Sequence, residues 1–332
     1  MNMQQTLTSE TRQATRPGFT LVELLVVIAI IGTLAALLTV AVVSALRAAR
    51  EAAVQTDCTQ LAQGFDDYTN TTSGGSYPPN LSNQPAANAT AELSRHLNKA
   101  FSSNRENATL IQVLATGVSS GQYQMNNSGG VEVGITPQEA IVFWLGGFSN
   151  DPKYPLSGPS GPSFLSNEGE DFAARTGFDF NQQQLGPLDG NNQFSGRYIT
   201  YPDPRTGDTR RINLWVYLPR NLSMPYAYFD ASRRPTYEPA FGGVAPIKTL
   251  KLNAAARTVA NLQLANEGKC QILSAGLDDA WGNLATNVAV DWTNGSASAD
   301  SVLLYPEGPW TGELADTITN FSTQRTLEDS QP

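Results

Sequence analysis

Phe19–Val43 reads FTLVELLVVIAIIGTLAALLTVAVV. These 25 residues hold one charge, Glu23. As a helix rising 1.5 Å per residue the run is about 37 Å long, enough to cross the hydrocarbon core of a bilayer. Polar residues 1–18, with Arg12 and Arg16, precede it, and Arg47 and Arg50 follow it. A signal h-region is usually about 7–15 residues, shorter than this stretch. A small-x-small pattern at Val43-Ser44-Ala45 still leaves a cleaved signal peptide open, as it does a plain signal anchor. Glu23 is the informative residue. A carboxylate in mid-bilayer costs about 2.5–3.5 kcal/mol and therefore calls for a partner.

The helical pattern continues past the apolar run but narrows. Val54, Cys58, Leu61, Phe65 and Tyr68 recur at steps of four and three, a single stripe. Ala45, Ala48, Ala49, Ala52 and Ala53 add strong helix formers. One helix of about 50 residues, Phe19 to Tyr68, is predicted, with an all-round apolar half over 19–43 and an amphipathic half over 44–68.

The rest of the chain bounds the function classes. It has 332 residues and a formal charge of −9, with 40% hydrophobic and 9% aromatic residues. A core is affordable in composition, and a phosphate backbone would be repelled, so no nucleic-acid partner is expected. A single histidine, His96, disfavours histidine-rich metal sites and histidine triads; His96 itself reads as an ordinary helix residue. Carboxylate pairs such as Asp66/Asp67 and Asp278/Asp279 read as solvated charge, so no enzyme is expected.

Weaker helical patches are predicted over Ala91–Ala100 and Asn107–Leu114. Thr136-Pro137-Gln138-Glu139 has the form of a capping box and should open a short buried helix through Leu145. Residues 149–210, rich in Pro and Gly, read as a loop-like insertion. Strands are expected at Arg211–Leu218, Tyr226–Phe229 and Lys269–Ser274, with Val259–Leu264 ambiguous. The fold class is α+β: a long N-terminal helix packed on an antiparallel sheet.

Gly18-Phe19-Thr20-Leu21-Val22-Glu23 closely resembles the processing signal of type IV pilins and of the pseudopilins of type II secretion systems. The resemblance is specific over residues 16–45 and extends in form to Tyr68. It implies a leader, 1–18, cut by a prepilin peptidase between Gly18 and Phe19, with methylation of Phe19. Glu23 would then neutralise the N-terminal amine of a neighbouring subunit. It further implies a globular extracytoplasmic head over 69–332 and an inner-membrane precursor with its leader in the cytoplasm. After assembly on an inner-membrane platform, the chain would stand in a homo-oligomeric filament with minor pseudopilins, periplasmic or on the cell surface. Alternatives on the same anchor are a minor pilin or a surface adhesin, with Trp215, Trp281, Trp292 and Trp310 as a stacking platform. Many family members carry a proline within the apolar half. Here that position is Val40, so the helix should be straighter, or melt at Gly32 instead.

Two further expectations concern the head. Ser274-Ala275-Gly276-Leu277-Asp278-Asp279 reads on its own as an Asx turn. With Asp316 it resembles the C-terminal calcium loop of the major pseudopilin, which implies calcium on Asp278 and Asp316, with Asp279 in reserve and backbone carbonyls completing the shell. Here 37 residues separate the two aspartates. Cys58 lies on the helical stripe and Cys270 opens a strand. If the two meet, an extracytoplasmic disulfide follows; otherwise they are buried free thiols.

Overall fold

The computed structural model describes residues 18–127, 130–159, 161–162, 177–191 and 193–332. Nearly all of the expected leader, and part of the expected insertion, lie outside the described residues. Helix α1 (Leu21–Thr71) is continuous through Gly32. The chain divides into two units within it, at Ala49/Arg50.

In the first unit the apolar residues of α1 are exposed all round; the most hydropathic 18-residue window of the helix is 0% buried. In the second unit the same helix hides an apolar stripe, Val54, Cys58, Leu61, Phe65 and Tyr68, flanked by buried Glu51 and Thr69. Burying each of the larger apolar members contributes about 1.5–3 kcal/mol. Phe65 stacks on Tyr228 with ring centroids 4.1 Å apart. Gly64 is the close-approach point on this half: a Cβ there would meet the Phe178 ring at 2.9 Å.

Helices α2 (Ala86–Ala100) and α3 (Ala108–Thr116) pack on each other. Strand β1 (Gln124–Asn126) follows, then helix α4 (Pro137–Leu145), every residue of which is buried. Strands β2 (Leu185–Gly186), β3 (Tyr198–Pro202), β4 (Thr209–Asn213), β5 (Val216–Tyr217) and β6 (Ala227–Asp230) come next. The chain closes with β7 (Lys248–Leu250), β8 (Leu262–Leu264), β9 (Cys270–Ser274), α5 (Leu284–Val288) and β10 (Ile318–Thr319). All named strand pairs are antiparallel, in sheets ordered β1-β3-β4, β10-β9-β6, β2-β5 and β7-β8.

The central sheet explains how the second half of α1 is held. At β6 and the residue before it, Tyr226 and Tyr228 join the core that contains the α1 stripe, whereas Ala227 and Phe229 join a second core. The period of two thus gives one face to α1 and the other to the C-terminal segments. Buried Gln271 ties β9 onward: its amide donates to the Ile247 and Ala265 carbonyls, both at 2.7 Å, and accepts from Ile247 N at 2.9 Å.

Several expectations need correcting. Tyr198–Pro202, inside the stretch read as loop-like, is the middle strand of a three-stranded sheet. Its burial alternates, with Ile199 and Tyr201 inward, and Pro202 is tolerated because it ends the strand. The expected strand 211–218 is two strands in two different sheets. His96, read as an ordinary helix residue, is buried. Its Nε2 lies 2.8 Å from the Tyr68 hydroxyl, and burial, with Arg233 and Lys99 adding to it, pushes its pKa down to about 4. Trp215, Trp281, Trp292 and Trp310 are all buried and form no exposed platform.

Candidate processing and assembly site

The first described residues, Gly18 and Phe19, precede the helix and are exposed, Phe19 at 77%. The Gly18–Phe19 peptide bond therefore lies in non-helical backbone. A Cβ on Gly18 would meet nothing within 4 Å, so glycine is not required there by packing within the chain.

Thr20 and Glu23 close a reciprocal hydrogen-bonded ring at the start of α1. Thr20 N and Oγ1 donate to Glu23 Oε2 at 2.9 and 2.8 Å, and Glu23 N donates back to Thr20 Oγ1 at 3.2 Å. This is a capping box, which satisfies amides that the first helical turn leaves without intrahelical partners. Both residues are exposed, and the carboxylate sits where the positive end of the helix dipole favours it. The sequence reading took Glu23 and missed Thr20, although the signal was present: threonine followed three residues later by glutamate before an apolar run.

The acidic turn forms a second constellation. Leu277 N and Asp278 N donate to Asp316 Oδ2 at 2.7 and 3.0 Å, so residues 38 positions apart in the chain are neighbours. Gly276, at φ +90°, makes this approach possible; a Cβ there would lie 2.4 Å from Asp316. The other oxygen of Asp316, Oδ1, is buried without a hydrogen-bond partner. Burial, joined by the charge of Asp278, pushes the Asp316 carboxyl above the usual carboxylate range. Asp279 points elsewhere: its carboxylate accepts from Ser223 N at 2.8 Å and Met224 N at 2.6 Å. Among the described residues no group of three or more acidic, histidine or cysteine side chains gathers here or anywhere else.

Cys58 and Cys270 are both buried, and both are free thiols. The expected disulfide is not formed. The reason is the register of α1 on the sheet. Lys269, next to Cys270, pairs with Asp66 at 3.3 Å. Asp57, next to Cys58, instead accepts from Tyr226 Oη at 3.0 Å, at the other end of β6. Asp57 and Asp66 stand more than two helical turns apart on α1, so the contacts beside Cys58 and those beside Cys270 fall at different levels of the helix. Burial pushes both thiols well above the usual thiol range.

Comparison with curated proteins finds no match, and comparison with solved structures finds none either. Residues 15–39 do match a family model, described as the prokaryotic N-terminal methylation motif, and this match supports a pilin-like protein processed as a prepilin.

Proposed function

We propose that the chain is a structural subunit of a pilus-like filament, of the type IV pilus or type II secretion pseudopilus kind. In this reading a prepilin peptidase cuts after Gly18, the new terminus at Phe19 is methylated, and the exposed half of α1 is first a membrane anchor and then the packing element of the filament. Glu23 pairs with the amine of a neighbour's Phe19. A membrane-embedded carboxylate is tolerated when it is paired, and that amine supplies the opposite charge at the right end of the helix. The head faces the extracytoplasmic side, and an inner-membrane platform assembles the stems. The work of the protein is mechanical.

The observation that carries this reading is the coincidence of the methylation motif with the wholly unburied stretch of α1. An exposed, predominantly apolar stretch of this length has no place in water and needs lipid or other stems around it.

The test is intact mass and N-terminal sequencing of the membrane-extracted protein, wild type against Gly18→Ala. The expected result is a chain beginning at N-methylated Phe19, lost in the variant. A chain still beginning at Met1, or one beginning near Leu46, would overturn it.

The Asp278–Asp316 pair favours a second reading of the head: the two carboxylates hold a calcium ion. Calcium takes six to eight hard oxygens, carbonyls among them. A buried carboxylate oxygen without a partner, next to a second carboxylate, is a donor set of the right kind. Backbone carbonyls and water would supply the remaining ligands. At calcium about 100-fold above Kd, the stabilisation is about 2.7 kcal/mol. Millimolar calcium should therefore raise the melting temperature of the head, magnesium should not, and Asp316→Asn should abolish the shift. Equal melting in calcium and in chelator would sink this reading.

A further inference from the structure

Lys248, the first residue of β7, is 0% exposed. Its Nζ donates to two oxygens, Glu238 Oε1 and the Val288 carbonyl, the latter at 2.5 Å. An ammonium carries three donors, so among the described residues one of them has no oxygen to meet. Glu238 is nearly as hidden, with its side chain 10% exposed. Its second oxygen, Oε2, accepts from the Trp292 indole nitrogen at 2.6 Å.

Both partners are held by their backbones. Asn83 donates to the Glu238 carbonyl at 2.9 Å. Lys248 pairs with Leu264 across β7 and β8, and Tyr305 N donates to the Lys248 carbonyl at 2.8 Å. A nucleophile and an acyl carbon fixed side by side react with the advantage of an intramolecular step. Burial pulls the Lys248 ammonium below the usual lysine range, against the opposing pull of Glu238. A desolvated lysine gives up its proton more readily, and the neutral amine is its nucleophilic form.

An amide suits this site better than an ion pair does. It has one N–H and one carbonyl. The Val288 carbonyl is in place to accept from the first, and the Trp292 indole to donate to the second. An amide also carries no charge, so the cost of burying two ions disappears.

We infer that Lys248 and Glu238 join in an isopeptide bond within the folded chain. One Nζ proton passes to Glu238 Oε1, leaving a neutral amine and a neutral carboxyl. The Nζ lone pair then attacks Cδ, and the charge that develops on Oε2 is met by the Trp292 N–H. A second Nζ proton moves to Oε1, which leaves as water. Oε2 returns to a carbonyl, and the third proton stays on the amide nitrogen. The bond closes residues 238–248 into a covalent ring, in a chain whose two cysteines are free. It uses no residue of the processing motif, so it stands or falls separately from the filament reading.

The experiment is mass spectrometry of the full-length protein, denatured and then digested with trypsin, which does not cut after an acylated lysine. The expected product is a peptide of residues 234–251, uncut after Lys248 and one water lighter than its sequence. Its fragment spectrum should show no backbone breaks between Glu238 and Lys248, because the ring holds the pieces together. Lys248→Met removes the amine while keeping an unbranched side chain of similar length, and should restore the full mass of this peptide. Glu238→Gln should never lose water there, since its leaving group would be ammonia. A wild-type digest of full mass, cut after Lys248, would overturn the inference. So would a loss of water from residues 234–251 that persists in Lys248→Met.

Discussion

The chain writes the same four-residue device twice, Thr20-Leu-Val-Glu23 and Thr136-Pro-Gln-Glu139, and puts it to different uses. Both are capping boxes with closely similar geometry: Thr20 N to Glu23 is 2.9 Å, and Thr136 N to Glu139 is 3.0 Å. The second box is buried. Glu139 Oε2 also takes the Arg197 guanidinium at 2.9 Å, and that guanidinium is fixed in turn by the Gly134 carbonyl at 3.2 Å and by Asn127 at 3.2 Å. Every strong partner Glu139 can use is present within the chain. Glu23 has Thr20 alone among the described residues, in the open. A capping glutamate locked by an arginine is part of a fold; one that keeps lone pairs unused at an exposed, apolar helix end is available to a second molecule. Local sequence supplies the cap in both cases, and the surroundings decide whether the carboxylate is finished.

The largest expected effect tests the locked box. Glu139→Gln retains an acceptor for Thr136 N but leaves the Arg197 charge buried without its counter-charge. Breaking one side of a buried pair costs about 3–5 kcal/mol. Urea unfolding of the head, followed by tryptophan fluorescence on the full-length protein in detergent, should show a loss of that size. Glu23→Gln in the same assay should leave the head unchanged and should instead reduce filament assembly. A large loss of head stability from Glu23→Gln would erase the distinction.

A smaller effect separates the cap from the ion pair. Thr136→Val removes the hydroxyl that accepts from Glu139 N at 3.3 Å while leaving Arg197 paired. The cost of a lost cap is about 1–2 kcal/mol. If Thr136→Val matched Glu139→Gln, the arginine would contribute nothing beyond the cap, and the proposed difference between the two boxes would shrink to their exposure.

This pairing also marks how far the sequence could be read. The stripe from Val54 to Tyr68 and the α4 box were legible because helical periodicity and capping chemistry act over three or four residues. The strands β6 and β9 were legible as short apolar runs. Meetings between distant segments were not. Arg197 reaches Glu139 across 58 positions, and nothing local to either residue announces it. The nearness of Asp316 to Asp278 was reached only through resemblance to a family, and whether Cys58 meets Cys270 depends on how α1 lies along β6 and β9. Strand β3 was hidden because Pro202 at its end, with Gly196 and Pro204 beside it, signals turns, whereas the alternation of Ile199 and Tyr201 spans too few residues to outweigh them.

The smallest effect belongs to the open box. Thr20→Val deletes the side-chain bond in each direction between Thr20 and Glu23 while leaving the backbone N–H of residue 20 as a donor. Such a loss costs about 0.5–1 kcal/mol at an exposed helix start, and it is confined there because the following turns carry no tertiary contacts to spread it. Hydrogen exchange should quicken at residues 21–24, and the melting temperature of the head should stay where it is. Thr20→Ser should restore slow exchange, since serine caps as well as threonine. The comparison is sharpened further by assembly. If Glu23 leaves Thr20 for the amine of a neighbour, Thr20→Val weakens a bond that assembly must break in any case, so filament yield should fall far less than with Glu23→Gln. Equal losses from the two variants would mean that Glu23 acts through Thr20, as a cap and nothing more.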